Sequence, residues 1–164
     1  MSPTLSPQSL ALAQSLVRMN TVSENSNLQL IDLAQSHLAA LGVKSRITYN
    51  AERTKANLFA TLGEGKPAGV IISGHTDTVP WDGQDWSVDP LSAALRNERL
   101  YGRGSADMKS FIAIALSNAK RFLESDSPFA VHFAFSYEEE IGCFGVKELI
   151  ADMRDANIQP ITSS

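Results

Sequence analysis

"SGHTDTVP", Ser73 to Pro80, follows the apolar run Gly69-Val70-Ile71-Ile72, and its reading decides the fold. β-branched residues favour a pleated, buried strand, and a proline lacks the N–H that a strand ladder needs. The stretch therefore reads as a buried strand, Val70 to Ser73, that delivers His75 and Asp77 to its carboxyl end. Two apart in extended chain, these side chains point to the same side. Two readings fit. One is a turn with an Asp-capped backbone and a partly exposed histidine. The other is a metal site, in which Asp77 holds one imidazole nitrogen, fixes the tautomer and leaves the second nitrogen free for a cation.

Working outward, Ser6-Pro7 reads as an N-cap with proline at the first helical position, and Leu10, Leu12, Leu16 and Val17 give a helical face over Pro7 to Met19. After a polar, turn-like Thr21 to Ser26, Leu30, Ile31, Ala34, Leu38 and Leu41 recur at helical spacing until Gly42. Strands are predicted over Val43 to Tyr49 and Asn57 to Leu62, with a loop at Gly63 to Pro67. Ala94 to Arg96 and Arg99 to Tyr101 suggest a small hairpin. Met108 to Leu123 is the strongest helix, Val131 to Ser136 alternates as a strand, and Val146 to Met153 is helical. Helices interspersed with short apolar strands predict an α/β domain with a helix-flanked, mainly parallel sheet. In such sheets chemistry gathers at the carboxyl ends of strands, which groups His75 and Asp77 with Asp107 and with Glu138 to Glu140.

Composition narrows the function. With 164 residues, 43% of them hydrophobic and 20% charged, the chain suits one domain with a substantial core. Fourteen basic against 18 acidic residues, a net charge of -4, leave no basic excess for nucleic acid or an anionic membrane. No run reaches the length of a membrane span, and Met1 to Ser9 lacks a secretory pattern. A cytoplasmic location is the expectation. Cys143 is alone and cannot form an internal disulfide, which agrees with a reducing compartment.

"YGRGSADMKS", Tyr101 to Ser110, sets two glycines ahead of Asp107. It has no GK[ST] and no third glycine, so it is neither a P-loop nor a dinucleotide fingerprint. Asp107 reads either as the N-cap of the following helix or as a ligand. "SYEEEIG", Ser136 to Gly142, ends a strand in three carboxylates; Ser136 and Glu139 have capping-box spacing, yet Gly142 and Gly145 spoil the helix such a box would begin. Adjacent carboxylates repel, and a cation relieves the repulsion. One histidine with several carboxylates is a donor set for Zn²⁺, Mn²⁺ or Co²⁺. Two such ions sharing a water would point to hydrolysis of an amide.

On these residues the chain resembles the M20 metallopeptidase and deacylase family. The similarity runs from about Leu16 to Met153 and rests on "GHTDTVP" with "DGQDW" (Asp82 to Trp86), "LYGRGSADMK" (from Leu100) and "EEEIGCFG" (from Glu138), in that order. The resemblance implies the zinc-dependent exopeptidase fold and two divalent metal ions, zinc as a rule with cobalt able to substitute. It implies that His75 binds one metal, Asp107 bridges both and Glu140 binds the other, while Asp77 orients His75 and Glu139 is the general base. Glu138 is given no role. "DGQDW" inclines the substrate toward N2-acetyl-L-ornithine, a small N-acyl amino acid of arginine biosynthesis, ahead of succinyl-diaminopimelate or a peptide. The family also carries a lid domain that mediates dimerisation, a further acidic ligand and a last histidine. None has a counterpart here, so residues 1–164 are expected to be a C-terminally truncated, partial metallohydrolase catalytic domain of a homodimeric parent, or a non-catalytic metal-binding fragment.

Other residues are expected to be structural. His132 should be packed within its strand, His37 at the surface and Cys143 a small buried side chain. Lys55 and Asn57 read as strand-edge residues. Trp81 and Trp86 either line a substrate entrance or cap a core.

Overall fold

The computed structural model describes residues 6–67 and 69–155. Its elements are α1 (Pro7–Val17), α2 (Leu28–Ala39), β1 (Ser45–Tyr49), β2 (Ala56–Leu62), β3 (Val70–His75), β4 (Ala94–Arg96), β5 (Arg99–Tyr101), α3 (Lys109–Ser117), α4 (Ala119–Leu123), β6 (Val131–Ser136) and α5 (Phe144–Asp155). α1 starts as its cap signal requires: the Ser9 N–H donates to Ser6 Oγ at 3.0 Å, satisfying one of the donors a helix start leaves open. The helix expected over Met108 to Leu123 is two. Between them Asn118 turns its side-chain amide onto the Ile114 carbonyl at 2.8 Å, a local bond that competes with the helical ladder.

The main sheet has the order β1-β2-β6-β3. It is mixed, which corrects the expected mainly parallel sheet: β1 with β2 and β2 with β6 are antiparallel, and β3 with β6 is parallel. Connection length accounts for two of these pairs: a short turn joins the antiparallel β1 and β2, and the parallel β3 and β6 are joined by a long crossover. Residues 50–55 make a tight turn in which Asn50 Oδ1 accepts from the Thr54 and Lys55 N–H groups, each at 2.9 Å. Between β3 and β6 the chain runs through the β4-β5 hairpin, α3 and α4.

Period-two alternation buries both faces of β2 and β6, whereas Val70 to Ser73, expected as a buried strand, lies at the sheet edge with Val70 63% exposed. Leu58, Ala60 and Leu62 of β2 and Phe133 and Phe135 of β6 join the main core with Leu16, Leu30, Leu38, Ile112 and Leu116 from α1, α2 and α3. Phe59 and Ala134, on the opposite face, pack with Leu149 and Met153 of α5. Each fully buried Leu or Phe contributes about 1.5–3 kcal/mol by leaving water. The helix-flanked α/β expectation holds. None of the described helices is long and apolar enough to cross a membrane.

Candidate metal centre

Parallel pairing of β3 and β6 sets His75 opposite Ser136, so the loops leaving both strands emerge side by side. The Thr76 N–H donates to Ser136 O at 2.8 Å. Residues 21–23, read from sequence as a polar turn, instead clasp this end: Thr78 N–H donates to Thr21 O at 3.0 Å and Ser23 N–H to Thr78 O at 3.1 Å.

His75 is 6% exposed. Its Nδ1 lies 3.0 Å from the Asp77 backbone oxygen and 3.5 Å from Asp77 Oδ1. Its Nε2 lies 3.0 Å from Asp107 Oδ1 and 3.8 Å from Glu139 Oε2. Burial opposes a charge on this ring, but the hydrogen bonds of Asp77 and Asp107 and the charge of Asp77 outweigh it and lift the pKa to about 9. Asp77, 3% exposed, accepts from Ser23 Oγ at 2.6 Å, from the Glu139 N–H at 3.1 Å and from the Glu140 N–H at 3.2 Å. Burial would raise its pKa; the contacts to His75, Ser23 and the two amides hold it below the usual range.

Asp107 does not cap the helix behind it. Met108 occupies the N-cap position without a side-chain bond, and the Asp107 carboxylate, 75% exposed, turns to His75. Gly104 permits the close course of its loop: at φ +81° it takes a left-handed conformation, and a Cβ there would come within 2.8 Å of Thr78 Cγ2. Lys109, which nothing in the local pattern singles out, is fully buried and donates from Nζ to Met19 O at 2.6 Å. Burial pushes its pKa down to about 8.

Glu139 and Glu140 lie in a turn before α5. The carboxylates of Glu139 and Glu140 and a ring nitrogen of His75 all fall within 4.8 Å of one another. Burial, and the charges of Asp107, Asp77 and Glu139, raise the pKa of Glu140 against the opposing effect of His75. Crowded carboxylates with one imidazole are a hard oxygen and nitrogen donor set with surplus negative charge, and a divalent cation fits both features.

Several neighbours differ from expectation. Cys143 is exposed, at φ +55° in the turn, and lines a cavity of about 250 Å³ with His75, Met108 and Glu139. Lys55 and Asn57 are buried rather than strand-edge: β2 is an interior strand, Asn57 Nδ2 donates to Gly145 O at 2.9 Å, and Lys55 pairs with Glu138. His37 is half-buried, 3.1 Å from Leu116 O. Trp86 lies under the Arg103 guanidinium at 5.0 Å, while that arginine donates to Gln84 Oε1 at 2.6 Å. His132 is packed as expected.

The profile of peptidase family M20/M25/M40 matches residues 71–162, a window that includes His75, Asp77, Asp107, Glu139 and Glu140. Acetylornithine deacetylase of Pasteurella multocida (strain Pm70) is 38% identical over 117 residues, covering 67% of this chain and 30% of its own length. Succinyl-diaminopimelate desuccinylase of Parvibaculum lavamentivorans is 37% identical over 147 residues, 85% of this chain and 37% of its own length. The chain therefore spans about a third of the length of these curated relatives. In fold it is similar to the M20 family metallo-carboxypeptidase Sso-CP2 from Sulfolobus solfataricus, with a TM-score of 0.80 at 21% identity over 94% of this chain and 36% of that one.

Proposed function

The chain belongs to peptidase family M20/M25/M40, and on that premise we propose that it carries part of the catalytic domain of a metal-dependent amide hydrolase releasing acetate and L-ornithine from N2-acetyl-L-ornithine. The observation that carries the metal-dependent reading is the convergence of His75, Glu139 and Glu140, with Asp107 on the same imidazole nitrogen at 3.0 Å. The choice of substrate is supported by likeness to acetylornithine deacetylases. A homodimeric whole protein and a cytoplasmic location belong to the same proposal.

In this reading His75, Asp107 and Glu140 would hold divalent cations, zinc or cobalt. Such cations, when bound, polarise a carbonyl oxygen and acidify water. The remaining work falls to the chain's own groups. Asp77 holds the Nδ1 side of His75, so Nε2 faces the carboxylates. Glu139, whose side chain is 46% exposed, is open to water and substrate together. Its carboxylate takes the proton of the attacking water and passes it to the amine nitrogen as the C–N bond breaks.

A second reading is desuccinylation of succinyl-diaminopimelate, favoured by a relative of nearly equal identity over more of the chain. Incubation with Zn²⁺ or Co²⁺ and each acyl substrate separates the two. Acetate release supports the first, and succinate release alone rejects it. Cation uptake without turnover of either would favour a non-catalytic fragment, and no uptake would reject the metal reading.

A further inference from the structure

Lys55, Ser23 and Glu138 have no part in the chemistry above, yet they close a ring of hydrogen bonds around the turn that carries Glu139 and Glu140. Lys55 Nζ donates both to the Ser23 carbonyl oxygen and to Glu138 Oε1. The Ser23 hydroxyl donates to Asp77 Oδ2 at 2.6 Å. Asp77 takes the Glu139 N–H on Oδ1 and the Glu140 N–H on Oδ2. From Glu140 the backbone leads back to Glu138 and so to Lys55.

Two features mark this ring as more than general stabilisation. The Lys55 and Glu138 side chains are only 11% and 20% exposed, and a pair so removed from water is weak as a stabiliser because desolvation offsets its attraction. Glu138 also sits at φ +56°, a left-handed conformation that a non-glycine residue holds at a cost and keeps only when its surroundings fix it. Its carbonyl oxygen accepts from the Phe144 N–H at 3.3 Å, and its side chain pairs with Lys55.

We propose that Lys55 and Glu138 are positioning residues: their pair holds the left-handed turn at Glu138, so that the next two N–H groups reach the two oxygens of Asp77 and keep it against His75. This rests on reading the adjacent carboxylates and His75 as a divalent-cation site. Cutting the ring frees Asp77 to rotate and lets Glu139 and Glu140 drift from Nε2.

The test uses the whole chain in two measurements. Amide hydrogen exchange at Glu139 and Glu140 is followed by NMR without cation, and Co²⁺ is titrated by visible absorption. Lys55→Met keeps the aliphatic stem and removes the charge, while Lys55→Arg restores it. In Lys55→Met the two amides should exchange about 10-fold faster or more, as expected on loss of a charge-assisted bond, with Phe59 and Ala134 amides unchanged. Co²⁺ affinity should fall about 10- to 100-fold, and the arginine variant should recover most of both. Wild-type exchange at Glu139 and Glu140 in a folded Lys55→Met protein overturns the proposal. So does wild-type Co²⁺ affinity once those amides have opened. If Lys55→Met loses protection throughout its core, Glu138→Gln decides by the same two amides. Absence of Co²⁺ uptake by the unmutated chain would sink the metal reading alone, and the exchange result would still decide the positioning.

Discussion

His75 Nε2 and Asp107 Oδ1 meet at 3.0 Å across 32 residues of sequence separation. β3 ends at the histidine, while the glycine-bearing loop before the buried Lys109 brings in the carboxylate. The ring is held at Nδ1 by Asp77 as well, so its orientation is fixed from both nitrogens. That arrangement makes Asp77 and the carboxylates separable by mutation.

Asp77→Asn should weaken the site while leaving the fold in place. The carboxylate receives three donors, the Ser23 hydroxyl and two backbone N–H groups. An asparagine turns an NH₂ toward at least one of them. The unpaired donor should cost about 1–3 kcal/mol, read from urea denaturation, and cation affinity should fall about 10- to 100-fold, read by calorimetric titration with Zn²⁺. An unchanged affinity would show that the Asp77 carboxylate does not orient His75 and that the Asp77 backbone oxygen, 3.0 Å from Nδ1, suffices.

Glu139→Gln separates proton transfer from cation binding. The substitution keeps the side chain's size and the residue's backbone N–H to Asp77 but removes the carboxylate proposed as the base. Acetate release from N2-acetyl-L-ornithine should drop by about 10²–10⁴-fold with Zn²⁺ affinity nearly retained. A comparable loss of both would assign Glu139 to the cation instead, which its distance of 3.8 Å from His75 Nε2 makes a real alternative.

What the sequence carries is mostly local. The strand leading to His75, the capped start of α1 and the β4-β5 hairpin follow from adjacent residues, and their bounds agree closely with the structure. Strand direction is not local. The alternation of β2 and β6 is the same whether they run parallel or antiparallel, and the long path between them fits either sense, so the antiparallel pair shows only in the folded register. Buried cations escape for a similar reason. Lys55 and Lys109 find their acceptors at Ser23, Glu138 and Met19, all distant in sequence. Cys143 reverses expectation because the turn carries it at φ +55° to the surface rather than into α5's packed face. The short polar segment 21–23 showed one usable signal, Val22 between two hydroxyl residues, which is strand-like alternation.

Phe133→Ala should test whether the layers depend on the centre of β6. The ring is fully buried, stacked near Phe135 at a centroid distance of 5.7 Å and edge-on to Phe122 at 6.1 Å. Removing it deletes contacts from both the sheet and α4. A loss of about 3–5 kcal/mol is expected, enough to unfold a marginal domain, and it is checked by the urea midpoint. A change below about 1 kcal/mol would mean that the cavity collapses and that the aromatic cluster is not central.

His132 should make the fold acid-sensitive in a way that can be removed. The Nδ1 of His132 lies 3.0 Å from Thr61 Oγ1, its ring stacks on Phe59 at 5.6 Å, and its buried Nε2 has no hydrogen-bond partner among the described residues. On this face α5 packs Leu149 and Met153, and its Asp152 carboxylate is engaged by Arg46 of β1. Burial accordingly lowers the pKa of His132 from 6.5. The unfolded chain then binds a proton more readily than the folded one, so stability is full above the unfolded value and declines as pH falls toward the folded value. His132→Phe keeps a ring against Phe59 and removes the titration. Its urea midpoint, compared with that of the unmutated chain between about pH 7 and pH 5, should fall less steeply. Parallel profiles for the two proteins would show that acid acts on this fold through other groups.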